Sequence, residues 1–79
     1  MAFVKSLEPI QKERNTVHGA VRCTYTVFTD ASGTRYLQLD TYGSPGRQLK
    51  DKISQSVQFD EDSLRELLSI IARECPGLG

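Results

Sequence analysis

The sequence predicts an α+β fold: a four-stranded antiparallel β-meander followed by one C-terminal α-helix packed on one face. Three observations predict it. Between residues 17 and 59, apolar and polar side chains alternate in three stretches rich in Val, Thr, Tyr and Phe. After residue 60 the period changes, and Leu64, Leu67, Leu68, Ile71 and Cys75 fall at the spacing of one helical stripe. The chain has 79 residues, 38% apolar and 25% charged, which fits one ββββα domain over residues 1–79.

Residues 3–10 form the first candidate strand, which Pro9 confines to a sheet edge because it lacks an N–H for the ladder. Residues 11–16 read as a charged turn. The second strand runs from Val17 to Phe28, with Val17, Val21, Cys23, Tyr25 and Val27 on one face and Arg22, Thr24, Thr26 and Phe28 on the other. Asp30, Ala31, Ser32 and Gly33 supply a hairpin turn, Gly33 giving the positive φ that closes it. The third strand, Thr34 to Tyr42, turns Leu37 and Leu39 to the core and Tyr36, Gln38, Asp40 and Tyr42 outward. Gly43, Ser44, Pro45 and Gly46 break the pattern and open a polar loop to Lys52. The fourth strand, Ile53 to Phe59, points Ile53, Gln55, Val57 and Phe59 inward and Ser54, Ser56 and Gln58 outward. Asp60 then caps a helix from Glu61 to about Cys75. Its acidic first turn suits the helix dipole, and Pro76 and Gly77 end it. Ile70 lies beside the apolar stripe, where it fits either partial burial at the sheet edge or contact with a partner helix.

Ten basic and ten acidic residues leave no net charge, and the isoelectric point near 6.5 excludes a uniformly basic nucleic-acid binder. Neutrality hides an asymmetry. Residues 1–52 carry eight basic against five acidic side chains, and residues 53–79 carry two against five, so a positive face remains open to the molecule. No run approaches the ~20 apolar residues of a membrane span, and no charged segment precedes an apolar one at the N-terminus. The expected location is cytoplasmic. Cys23 and Cys75 lack metal-site spacing and read as reduced, buried thiols. A chain this short buries only ~60% of its unfolded surface, which favours a homodimer.

No constellation for catalysis is present. His18, the single histidine, sits in the second candidate strand away from any nucleophile, and the Gly43–Gly46 stretch lacks the lysine and following helix of a phosphate loop. The expectation is a protein that is not an enzyme and needs no cofactor or metal. The outer sheet face is richer: it combines Tyr36, Tyr42 and Phe28 with hydroxyls, with amides such as Gln38, and with Arg22. Aromatic rings stack on bases of any sequence and basic side chains track phosphates, so this face suits single-stranded nucleic acid. The same residues also serve as ordinary strand formers on a solvated face.

The block from Tyr36 to Tyr42, the basic loop, the strand from Lys52 to Phe59 and the acidic helix start at Asp60 together resemble the single-stranded-DNA-binding domain of the positive cofactor four family of transcriptional coactivators. The resemblance covers roughly residues 20 to 75. It implies a curved antiparallel sheet backed by the helix, dimerisation through the helices, and DNA held by strand and loop residues. Carried onto this chain, it implies strand contacts from Tyr36, Gln38 and Tyr42, and phosphate contacts from Arg47, Lys50 and Lys52. Leu67, Ile70 and Ile71 would form the dimer interface. The chain departs from the family in having no tryptophan, fewer lysines and no net positive charge. Residues 39–44 and 54–60 also resemble short uncharacterised bacterial proteins, some labelled methionyl-tRNA formyltransferase. That activity does not fit this chain, which has no room for a folate-binding domain and no His and Asp pair for formyl transfer. The expected partner is single-stranded nucleic acid, DNA or RNA. The alternative is a protein-interaction module that takes a polypeptide on its sheet face or on the edge formed by residues 3–10.

Overall fold

The computed structural model describes residues 1–43 and 52–78. Along the chain come β1 (Ala2–Val4), β2 (Cys23–Thr29), β3 (Arg35–Tyr42), β4 (Ile53–Asp60), α1 (Glu61–Glu74) and a short 3-10 turn (Pro76–Leu78). The class is α+β, with one four-stranded sheet and one C-terminal helix. The sheet is not an antiparallel meander. Its order is β1-β4-β3-β2, and β1 lies parallel to β4 with Ala2 beside Val57 and Val4 beside Phe59. The chain therefore crosses from one edge to the other through residues 5–22, which carry no regular element.

The limits of β1 and β2 also differ from those expected. Strand β1 is three residues long rather than eight, and Pro9, which cannot donate to a ladder, lies beyond its end. Strand β2 starts at Cys23 rather than Val17 because its neighbour in the sheet, β3, ends at Tyr42. The Tyr42 N–H donates to the Arg22 carbonyl at 3.1 Å, and beyond that rung Val17 to Val21 have no strand to pair with. Strand propensity without a ladder partner leaves them outside the sheet and exposed, and His18 with them.

The β2–β3 hairpin is the most completely specified part. It pairs Cys23 with Thr41 through Thr29 with Arg35 and closes through a turn in which Gly33 has φ 90°. The Asp30 carboxylate gathers that turn, accepting from the Ser32 N–H at 3.0 Å, the Ser32 hydroxyl at 2.7 Å and the Thr34 N–H at 3.0 Å. Those donors, the Ser32 hydroxyl first, hold its pKa below the ordinary carboxylate value.

Strands β3 and β4 pair antiparallel from Tyr36 opposite Asp60 to Thr41 opposite Gln55, and then the register shifts so that Tyr42 lies opposite Ile53. Ser54 is left over as a bulge, and the residue beyond a bulge changes face. Ile53 consequently joins the face of Tyr42 instead of pointing inward with Val57 and Phe59, and Ser54 is no simple outward residue.

Helix α1 begins at a reciprocal cap. The Asp60 carboxylate accepts the Ser63 N–H at 2.9 Å, while the Ser63 hydroxyl accepts the Asp60 N–H at 3.1 Å and is fully buried. The bond from the Ser63 backbone is the main cause of a lowered Asp60 pKa. The helix ends where the Cys75 N–H reaches the Ile71 carbonyl at 2.8 Å, just before Pro76.

The helix does not close over the sheet. Its main strand neighbour is β4, from which it leaves directly, and among the described residues Phe59, 9% exposed, is the buried hydrophobic side chain of the core. On the sheet's apolar face Tyr25 is 74% and Val27 55% exposed, while Leu37, Leu39 and Val57 are half-buried. On the helix, Leu68 is 67% exposed, and Leu64, Leu67, Ile70 and Ile71 are half-buried. Cys23 and Cys75 are both free and exposed, contrary to the expected buried thiols, because neither strand face nor helix stripe is covered where they stand. Among the described residues no helix is long and apolar enough to cross a membrane.

Candidate nucleic-acid interface

The face opposite Leu37, Leu39, Val57 and Phe59 is assembled in cross-strand rows. Register places Thr24 beside Asp40 and Ser56, Thr26 beside Gln38, Gln58 and Phe3, and Phe28 beside Tyr36 and Asp60. The Thr26 row crosses all four strands and the other two cross β2, β3 and β4, so side chains far apart in sequence meet on one surface.

One end of the surface is aromatic. The Phe28 and Tyr36 rings stack with centroids 5.4 Å apart and planes at 20°, and Phe3 meets Tyr36 edge-on at 5.8 Å. The Tyr36 hydroxyl donates to Asp30 at 3.2 Å. Partial burial first, and the Asp30 charge second, raise the Tyr36 pKa, so the phenol stays neutral and a donor through the physiological range. With one face of Tyr36 covered by Phe28, the rings open to solvent here are Phe3 and Phe28.

The middle is a hydrogen-bonded chain of polar side chains. Asp40 is only 6% exposed. Its carboxylate accepts from Gln38 Nε2 at 2.9 and 3.2 Å and from the Ser56 hydroxyl at 2.5 Å. Gln38 Oε1 in turn accepts from Gln58 Nε2 at 2.8 Å. A buried charge is tolerated only when hydrogen bonds replace its hydration, and the bonds from Gln38 and Ser56 do so.

At the far end the Tyr42 hydroxyl lies 3.0 Å from Thr24 Oγ1, and the Arg22 guanidinium sits 4.3 Å above the Tyr42 ring. Lys52 is exposed immediately before β4. The structure therefore brings Arg22, Tyr36, Gln38 and Tyr42 onto one face. Arg47 and Lys50 lie outside the described residues. Leu67, Ile70 and Ile71, expected at a dimer interface, are on α1 away from this face. Ile70 borders a groove of about 610 Å³ whose opposite wall is Leu7, Pro9 and Ile10 of the same chain.

Phe28 and Asp40 stand on the face where the sequence reading expects them, though not as named contacts, and Phe3 is a member that reading does not expect. Phe28 is in phase with the outward residues of β2, a signal present in the sequence. Asp40 is equally in phase, but nothing local shows that it is buried and hydrogen-bonded. Phe3 reaches the face only through the parallel pairing of β1 with β4, which no short-range pattern encodes. No family model, no curated protein and no solved structure matches this chain.

Proposed function

We propose that this protein binds single-stranded nucleic acid, DNA in the first instance, on the polar face of its sheet, without catalysis, and that it does so as a cytoplasmic homodimer. The observation that carries the reading is the composition of that face: solvent-open rings at Phe3 and Phe28, amides and hydroxyls in the middle, and Arg22 and Lys52 at the other end. Rings contribute about 1–3 kcal/mol per stacked base, and cations at the margin track phosphates. The resemblance to the positive cofactor four family points the same way and suggests a role in transcription, replication, repair or an accessory to a restriction system.

A second reading, a protein-interaction module, is favoured by the apolar face, where Tyr25 and Val27 stand open. Salt separates the two, because phosphate contacts release counterions and apolar contacts do not. In a fluorescence-anisotropy titration with oligo-dT, duplex DNA and single-stranded RNA at two salt concentrations, oligo-dT should bind more tightly than duplex and weaken as salt rises. Replacing Arg47, Lys50 and Lys52 by Ala should make the slope of log affinity against log salt shallower by ~2, about 0.7 for each phosphate no longer neutralised. No binding to any single strand overturns the nucleic-acid reading and leaves the polypeptide module.

A further inference from the structure

We infer that Gln58 is a base-reading amide, held in one orientation by buried Asp40 acting through Gln38, with Phe3 as the adjoining stacking wall. This rests on the nucleic-acid reading of the same face. Both Asp40 carboxylate oxygens accept from Gln38 Nε2, at 2.9 and 3.2 Å, so Gln38 turns its NH₂ toward Asp40. Its carbonyl oxygen then faces Gln58 and can only accept, which turns the Gln58 NH₂ toward Gln38. Each observed bond obeys this sequence: Gln38 Nε2 to Asp40 at 2.9 Å, Gln58 Nε2 to Gln38 Oε1 at 2.8 Å. The orientation imposed by the Asp40 carboxylate oxygens at one end is thus passed along two amides to the other.

The terminal amide keeps unused capacity. Among the described residues, Gln58 Oε1 has no partner, and one of its two N–H groups remains. They present an acceptor and a donor side by side, the pattern with which a glutamine engages two adjacent atoms on a base edge. Gln58 lines a shallow pocket of about 340 Å³ together with Phe3, Ile53, Met1, Gln38 and Ser56, at the small end of the range for ligand sites. Its walls are apolar at Phe3 and Ile53 and its floor is polar, which matches the flat apolar surface and polar edge of a single unpaired base. Ile53 reaches this wall only because the bulge at Ser54 turns it to the polar face. An amide free to flip would exchange donor and acceptor and read nothing. Asp40 and Gln38 are therefore positioning residues.

The same bonds also join β3 to β4, so the test must move something that strand pairing alone would not. The readout is the ratio of affinities for fluorescein-labelled oligo-dA, oligo-dC and oligo-dT of equal length, with an abasic oligomer as reference. The parent should separate its best and worst bases by about fivefold to a hundredfold, the range of one two-point amide contact. Asp40→Asn, which keeps the shape but admits either amide orientation, should bring that ratio toward one while leaving the salt slope unchanged. Gln58→Leu, at the half-buried far end of these hydrogen bonds, should do the same and serves if Asp40→Asn fails to fold. Phe3→Ala should weaken all three oligomers by about fivefold to a hundredfold with little effect on the abasic one, and Phe3→Tyr should restore them. If the parent binds single strands but treats the three bases alike, or if both variants shift the melting temperature and leave the ratio intact, the inference fails and the nucleic-acid reading stands. If the parent binds none of them, both fail.

Discussion

Asp30 and Asp60 contribute to the acid stability of the molecule. Each carboxylate is held by local donors, Ser32 and Thr34 for the first and Ser63 for the second, and each has a pKa below its ordinary value of 3.8. A group whose pKa falls on folding binds fewer protons folded than unfolded. Its stabilisation is complete above the unfolded value and is lost as pH falls through the folded one. The melting temperature should be level above about pH 5 and fall below about pH 4. In the Asp30→Asn, Asp60→Asn double variant the fall should be shallower, and an acid limb identical to the parent's would contradict this account. The residue scale was only partly open to sequence reasoning. The cap at Asp60 and the turn at Asp30 follow from short-range donor geometry and could be read directly. The burial of Asp40 depends on Gln38, Ser56 and the cross-strand register, and could not.

The elements divide along the same line. The hairpin, β3, β4 and the helix are each specified by contiguous residues, and their expected limits fall close to those observed, with α1 spanning Glu61–Glu74 and β3 spanning Arg35–Tyr42. Strand β1 and the start of β2 are not, because both depend on which strand lies alongside. Periodicity reports which residues share a face but not which strand is the neighbour, so a parallel edge pairing and a one-residue bulge at Ser54 leave no trace in it. The hairpin turn gives a clean test of the local part. A Cβ on Gly33 would meet no atom within 4 Å, so the cost of Gly33→Ala is the backbone's alone at φ 90°. It should destabilise by about 1 kcal/mol, and Gly33→Asn, better suited to positive φ, by less. Equal stability of the Ala variant and the parent in urea would show that the turn does not hold this conformation.

The molecule as a whole exposes more surface than a compact chain of its size. Its accessible area is 7072 Å², against about 4,800 Å² for a compact monomer of 8.8 kDa. The difference exceeds the ~800 Å² that each partner buries in a standard interface. Part of it lies in the extended crossing segment, and part on the sheet face of Tyr25 and Val27 and on Leu68. A second copy covering that face is the cause we propose, with the seam on the sheet as well as on α1. Sedimentation at micromolar concentration should give about twice 8.8 kDa. Val27→Asp should yield monomer, whereas Ile70→Glu should act more weakly, because Ile70 already faces Leu7, Pro9 and Ile10. A monomeric parent would remove the dimer without touching the polar face.

If the polar face, and not the apolar one, meets nucleic acid, side-chain resonances report it directly. With isotope-labelled protein titrated by oligo-dT, the account predicts shifts in the Gln38 and Gln58 side-chain amides, the Thr24 and Thr26 methyls and the Phe3 and Phe28 rings. The methyls of Val27, Leu39 and Val57, on the opposite face, should stay in place. Shifts confined to that second set, or none at saturating oligo-dT, would contradict it.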